Sequence, residues 1–244
     1  AGAVLSTKLS SLAVPKFIRN NKIDMSQYES RRFHSYNDFF TRKIKDGRRP
    51  INQAASSFIA PCDSRLTVHE ICDGATFHIK STEYTMESLL RNNALAEEYR
   101  GGLFLLFRLT VDDYHRYCYA DNGIKSCDTY IKGLFHTVNP LAGQVFPIYK
   151  ENSRCYCVLE TENFGKLLHM EVGALMVGKI VNYHKRSGFS FKRGQEKGRF
   201  EFGGSTVILC VKKDVLQVDE DILANSRAGI ETKVRMGEKI GERI

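Results

Sequence analysis

Apolar and polar residues follow two different periods along this chain, and the change comes near Phe58. Before it the spacing is helical. Val4, Leu5, Leu9 and Leu12 fall on one helical face with Lys8 on another, and Pro15 interrupts the run. Lys16, Arg19 and Lys22 then surround Phe17, Ile18 and Ile23. Ser35 is placed to cap a short helix from Tyr36 to Phe40, with Asp38 three residues on, and a basic run from Arg42 to Arg49 closes at Pro50. Beyond Phe58 short strands alternate with turn residues. Leu103 to Leu109 reads as a buried strand, Ser126 to Leu134 as an alternating one and Arg154 to Glu160 as another. Lys166 to Val181 is dense in Val, Leu, Ile and Gly, and Phe200 to Val211 is apolar on both sides of two glycines. Met86 to Tyr99 is predicted as one helix, with Leu89, Leu90 and Leu95 inward and Glu97 and Glu98 outward. The tail, Ile222 to Ile244, is punctuated by Gly229, Gly237 and Gly241 and predicts tight β-turns. The pattern is that of a mainly β (α+β) protein: antiparallel sheets in a sandwich or barrel-like core, preceded by an amphipathic helical region over residues 1–50.

Composition narrows the class. With 244 residues, 42% of them hydrophobic and 26% charged, the chain can bury a substantial core and is not disordered. A net charge of +8 favours an anionic partner: nucleic acid, acidic lipid or a phosphorylated substrate. No aromatic–basic stacking platform accompanies the charge, so nucleic acid is not expected. The seven cysteines form no C-x-x-C pair and no Cys/His cluster of zinc spacing, which predicts free thiols in a reducing compartment and no metal site. No run approaches the roughly 18 apolar residues that span a bilayer. The opening residues lack a basic stretch ahead of an apolar core and are not read as a signal peptide. The basic amphipathic N-terminal stretch suits a membrane interface, and equally a helix packed on its own domain.

Four places could carry chemistry. Phe202-Gly203-Gly204-Ser205-Thr206 sets two glycines and a hydroxyl inside a strand. Such glycines mark a bulge or a close approach to the backbone, and a serine there can attack the carbonyl of the glycine before it. Asp63, after Ala60-Pro61-Cys62, sits in a turn just before a strand, where an aspartate commonly bonds its own backbone. Asp112-Asp113-Tyr114-His115-Arg116-Tyr117-Cys118 crowds carboxylates, a histidine, a guanidinium and a thiol at a strand end, as either a site or a solvated turn. His136 lies in a short apolar loop, where a histidine is usually a packing residue.

In order along the chain these segments resemble the phosphatidylserine decarboxylase family. Ser35-Tyr36-Asn37-Asp38-Phe39-Phe40-Thr41-Arg42-Lys43, closed by Arg49-Pro50, is similar to the family's F-N-D-F-F-x-R-x-L. Ala60-Pro61-Cys62-Asp63 is similar to S-P-x-D-G, and Arg108-Leu109 with Asp113-Tyr114-His115-Arg116 matches R-L-x-x-x-D-Y-H-R. Thr137-Val138-Asn139-Pro140 matches the S-V-N-P loop and Glu171 to Gly178 the V-G-A-x-x-V-G-S segment. Gly203-Gly204-Ser205-Thr206 takes the place of the L-G-S-T processing motif.

The resemblance implies a self-processing lyase. Ser205 would attack the Gly204 carbonyl to give an ester, and β-elimination would leave a pyruvoyl group at residue 205. Residues 1–50 would form a basic membrane-contact region and residues 51–244 the decarboxylase. Cleavage would divide the chain into a β chain, 1–204, and an α chain, 205–244, held as a heterodimer, with association of several copies left open. The expected reaction converts phosphatidylserine in an anionic membrane to phosphatidylethanolamine, by an enzyme peripheral to the cytoplasmic face of the cell membrane. The alternatives are a processing-deficient lipid-binding homologue and a pyruvoyl decarboxylase of a soluble amino acid. Asp63 and Ser205 match two members of the family's Asp-His-Ser set. The third departs: Cys118 stands where D-Y-H-R-x-H has its second histidine, leaving His115 or His136 as the base of processing, and His115 as the acid that returns a proton during turnover.

Overall fold

The computed structural model describes residues 2–80, 82–135, 150–173, 179–201, 203 and 205–244. The N-terminal region is built of α1 (Gly2–Leu5), a 3-10 helix at Lys8–Ala13, α2 (Val14–Asn20) and α3 (Tyr36–Phe40). Pro15 begins α2 and does not end a helix: in the first turn its missing N–H leaves no bond unmade. Ser35 caps α3 as expected, accepting from the Asp38 amide at 3.1 Å. The face predicted for Val4, Leu5, Leu9 and Leu12 is only partly buried. Leu5 packs with Val14, Phe17, Tyr36, Phe39 and Tyr114, whereas Val4, Leu9 and Leu12 are 66, 79 and 78% exposed.

The rest is strand-rich. In chain order come β1 (Ser57–Ile59), β2 (Ser64–Glu70), β3 (Phe77–Ile79), β4 (Thr82–Tyr84), helices α4 (Met86–Leu90) and α5 (Asn93–Glu97), β5 (Leu103–Leu109), β6 (Arg116–Cys118), β7 (Gly123–Lys125), β8 (Thr129–Ile131) and β9 (Leu134–Phe135). Then follow β10 (Lys150–Glu151), β11 (Arg154–Thr161), β12 (Gly165–Val172), β13 (Ile180–Asn182), β14 (Phe189–Phe191), β15 (Glu196–Phe200), β16 (Ser205–Val211), β17 (Leu216–Val218), α6 (Glu220–Arg227), β18 (Thr232–Val234) and β19 (Lys239–Arg243). Among the described residues the main sheet runs β14-β7-β11-β12-β16-β5-β2-β18, every neighbouring pair antiparallel. The smaller sheets β13-β15-β6 and β1-β19-β17 are separate from it, and the layers do not close into a barrel.

Two cores lie on the two faces of this sheet. Leu105, Phe107, Leu109, Val207, Leu209 and Val211 face one, with Tyr117, Cys118 and Phe200 packed against them. Phe104, Leu106, Ile208 and Cys210 face the other, under β3, β4, α4 and α5. Every residue of β16 is buried, because both sides of this central strand are covered. That explains its unbroken apolar run, where a half-exposed strand would alternate.

Three local expectations change. Met86 to Tyr99 is two helices: Arg91 closes α4 in the left-handed conformation at φ 50°, and the Asn92 side chain caps α5 by accepting from Leu95 N at 3.1 Å. The strand expected at Ser126 to Leu134 narrows to β8 and the start of β9. The tail opens on α6, buries Ile222, and only then makes its glycine turns, with Gly229 and Gly237 at positive φ.

Loss of the Leu209 side chain, fully buried on β16, is expected to lower the unfolding free energy by about 2–5 kcal/mol in Leu209→Ala. Ile124→Ala, at a half-exposed position, is expected to cost under about 1 kcal/mol, and urea unfolding compares the two.

Candidate active site

Strand register carries Asp63, the Thr110–His115 loop and Ser205 to one end of the main sheet. Ser205, the first residue of β16, pairs with Leu109, the last of β5. Arg65 pairs with Arg108 and Ser64 with Val234, so Asp63 stands one residue beyond the same row. On the other side of β16, Val172 pairs with Thr206 at the end of β12. Two strand spacings, roughly 10 Å, separate the Asp63 and Ser205 backbones. The sheet therefore gathers these residues without placing them in contact.

Each is held by its own partners. The Asp63 carboxylate accepts from Arg49 Nε at 2.7 Å and Nη2 at 2.5 Å, and from the Met236 amide at 2.9 Å. The ion pair is nearly buried, so its geometry matters: the bidentate fork and a backbone donor compensate the desolvated charge. His115 is 2% exposed, with Nδ1 at 3.0 Å from the Asp113 carbonyl and its ring 3.8 Å from that of Phe40. Ser205 Oγ donates to the Gly203 carbonyl at 3.0 Å. Gly203 has φ 148°, a conformation that favours glycine, and it stands where the family's motif has leucine. Among the described residues no hydrogen bond joins Asp63, His115 and Ser205. His136 and Gly204 lie outside the described residues.

Electrostatics separates the candidates. Burial, with the Arg42 guanidinium second, depresses His115 to about 3, so the imidazole is neutral at physiological pH. Burial pushes the Cys118 thiol up to about 12. Fully buried, with its amide bonded to the Pro61 carbonyl at 2.9 Å, Cys118 is a neutral packing residue and cannot replace a histidine base. Asp113 is raised by burial, against the Thr110 amide and hydroxyl that bond it at 2.7 and 2.8 Å. A polar cavity of about 210 Å³ opens over this sheet end, lined among others by Tyr28, Arg49, Asp63, Asp113, Lys233 and Arg235.

Comparison with known proteins decides the family. The sequence profile described as phosphatidylserine decarboxylase matches residues 36–242. The chain belongs to this family. It is 50% identical over 237 residues to phosphatidylserine decarboxylase proenzyme 2 of Clostridium acetobutylicum, covering 97% of this chain and 80% of that one. It is 40% identical to the phosphatidylserine decarboxylase proenzyme of Clostridium tetani, covering all of this chain and 83% of that one. The Clostridium botulinum proenzyme is 41% identical over 98% of this chain and 82% of its own.

Three residues of this family member were not singled out by sequence reasoning as parts of the site. Arg49 and Arg42 stand in a basic run that the sequence assigns to membrane contact, yet one neutralises Asp63 and the other is 1% exposed against the His115 loop. Lys197 is buried with Glu171 at 2.5 Å, in a network that Asn182 completes. Arg42 and Arg49, both in the segment similar to the family's motif, carried a sequence signal, and Lys197 did not.

Neutral burial of His115 has a measurable consequence. Its folded pKa lies below the ordinary 6.5, and so does that of the buried His169. The unfolded chain takes up these protons first, so the stabilisation is complete above pH 6.5 and is lost as pH falls towards 3. Between pH 6.5 and 5, above the carboxylate range, each imidazole contributes a slope of up to about 1.4 kcal/mol per pH unit. Urea midpoints of His115→Gln are expected to fall less steeply across this window than those of the parent chain.

Proposed function

We propose that this chain is a pyruvoyl-dependent enzyme that decarboxylates phosphatidylserine to phosphatidylethanolamine, after cutting itself between Gly204 and Ser205. The observation that carries the reading is the family membership together with Ser205, the serine of the processing motif, buried at the head of the central strand β16. Ser205 Oγ forms a bond to the Gly204 carbonyl carbon, the amide C–N bond breaks, and the hydroxyl proton passes to the new amine. β-Elimination from that ester releases the Gly204 carboxylate and leaves a dehydroalanine at residue 205, whose imine tautomer is hydrolysed by water, losing ammonia, to the pyruvoyl group. The residues present suit this group: Ser205 is buried, so the new carbonyl is shielded from bulk water.

When formed, the group supplies a carbonyl that holds the substrate amine and accepts the electron pair released with carbon dioxide. The protein's part is binding, orientation and proton transfer. Asp63, fixed by Arg49 and the Met236 amide, holds its carboxylate in one orientation at the cavity. His115 presents a neutral imidazole, with Nδ1–H toward a carbonyl, whose Nε2 first takes up a proton and then passes it to the substrate α-carbon. Lys233 and Arg235 leave exposed cations at the cavity mouth for the phosphodiester.

Residues 1–50 serve as the membrane contact at the cytoplasmic face. Exposed Val4, Leu9 and Leu12 beside Lys8 and Lys16 support docking on an anionic surface. No helix among the described residues is long and apolar enough to cross a membrane.

Ser205→Ala is expected to remain one folded chain by intact mass and to show no carbonyl reactive toward borohydride. Asp63→Asn should slow cleavage at least ten-fold; processing at the parent rate in either variant sinks the assignment. Liposomal phosphatidylserine, assayed beside free amino acids, is expected to be the substrate that releases carbon dioxide. The small fragment contributes β16, hydrogen-bonded between β5 and β12, and β19, between β1 and β17. Size-exclusion chromatography without denaturant is therefore expected to elute both fragments in one peak.

A further inference from the structure

One short helix holds His115 from outside its own loop. Phe40, the last residue of α3, and Thr41 and Arg42 just after it make three successive contacts with residues 112–116. Phe40 lays its ring over the imidazole at 3.8 Å, with the planes 39° apart. The Thr41 carbonyl accepts from Arg116 Nη2 at 2.7 Å. Arg42 donates through Nη2 to the carbonyls of Asp112, at 3.0 Å, and Asp113, at 3.2 Å. That Asp113 carbonyl is also the one facing His115 Nδ1. A carbonyl only accepts, so Nδ1 of the neutral ring carries the hydrogen and Nε2 keeps its lone pair.

Arg42 is an unusual choice for so buried a place. No salt bridge is found for it among the described residues, and its Nε and Nη1 have no hydrogen-bond partner there. Its guanidinium lies 4.3 Å from the centre of the Tyr28 ring and 4.7 Å from that of Phe39. These faces compensate only part of the desolvation of a buried cation. A fixed positive charge in this position opposes a second one on the imidazole. Among the described residues the charged side chains that act on His115 are Arg42, just after α3, and Asp112 from its own loop. From β15 the contact is a backbone one, the Phe200 amide to the His115 carbonyl at 2.9 Å.

We propose that Arg42 and Phe40 are positioning residues for His115: the end of α3 and the two residues after it fix the plane and tautomer of the imidazole, and so make Nε2 the atom that first takes up a proton and then hands it on. The inference rests on His115 taking part in proton transfer. It assigns the N-terminal region a part in the chemistry, separate from docking on lipid.

The test uses the full-length protein. Arg42→Lys keeps the charge without the planar fork, and Phe40→Leu keeps the guanidinium without the ring. Each is expected to lower kcat for phosphatidylserine at least about ten-fold with KM changed less than about two-fold. In the uncleaved Ser205→Ala background, 15N NMR of the imidazole is expected to show the Nδ1–H form. Adding Arg42→Met should move the His115 titration midpoint up by about one pH unit. Parent-like kcat in both Arg42→Lys and Phe40→Leu, with His115→Gln inactive, overturns the positioning role and leaves His115 catalytic. Parent-like cleavage and turnover in His115→Gln overturns the reading beneath it, and the inference with it. Should Arg42→Met not fold, the tautomer signal in the Phe40→Leu and Arg42→Lys backgrounds decides: an unchanged Nδ1–H form with unchanged kcat overturns the proposal.

Discussion

The register of β16 between β5 and β12 is the constraint on which the site depends. Its seven residues are all buried and all pair with β5, and Thr206 to Cys210 pair with β12 as well, so the strand cannot slip by one residue without turning apolar side chains onto the wrong core. That same lock decides where Ser205 lies. Because it opens the strand opposite Leu109, the serine stands where the loop to His115 departs and where β2 begins after Asp63. Packing of the sheet and assembly of the chemistry are one event.

Charge is placed around this frame with little solvent to screen it. Arg49 binds Asp63, Lys197 binds Glu171, and Arg42 sits among carbonyls and aromatic rings. Buried pairs of this kind contribute little net stability when compared with apolar packing, and breaking one strands its partner. Their value lies in fixing the orientation of the groups they hold. Asp63 is tied by a fork and an amide, His115 is neutral, and Cys118 is a thiol; the groups near Ser205 thus differ in kind, which a general acid–base site requires.

Much of this was legible in the residues. Buried strands at Leu103–Leu109 and Ser205–Val211 follow from their apolar runs, and the Ser35 cap from its hydroxyl before an apolar pair. The ordered motifs pointed to the family, and the sequence profile and relatives agree. What escaped was set by long-range contact. The break between α4 and α5 rests on a left-handed Arg91, a residue with no special preference for that conformation. Arg42 and Arg49 sit in a basic run that the sequence assigns to membrane contact, and only the fold shows Asp63 and the Asp112–Asp113 carbonyls as their partners. Nor does spacing reveal that Asp63 and His115 point to different partners.

The interleaving of residues 205–244 with the remainder has a developmental meaning. β16 lies in the middle of the sheet and β19 between two other strands, so neither portion holds a complete layer without the other. A nick ahead of Ser205 changes connectivity while the surrounding lattice of bonds persists. The unbroken polypeptide is thus its own assembly jig: it must first weave the whole fabric, and only a finished weave can tolerate the cut thread. Halves synthesised apart would each expose the edges that the other was made to cover.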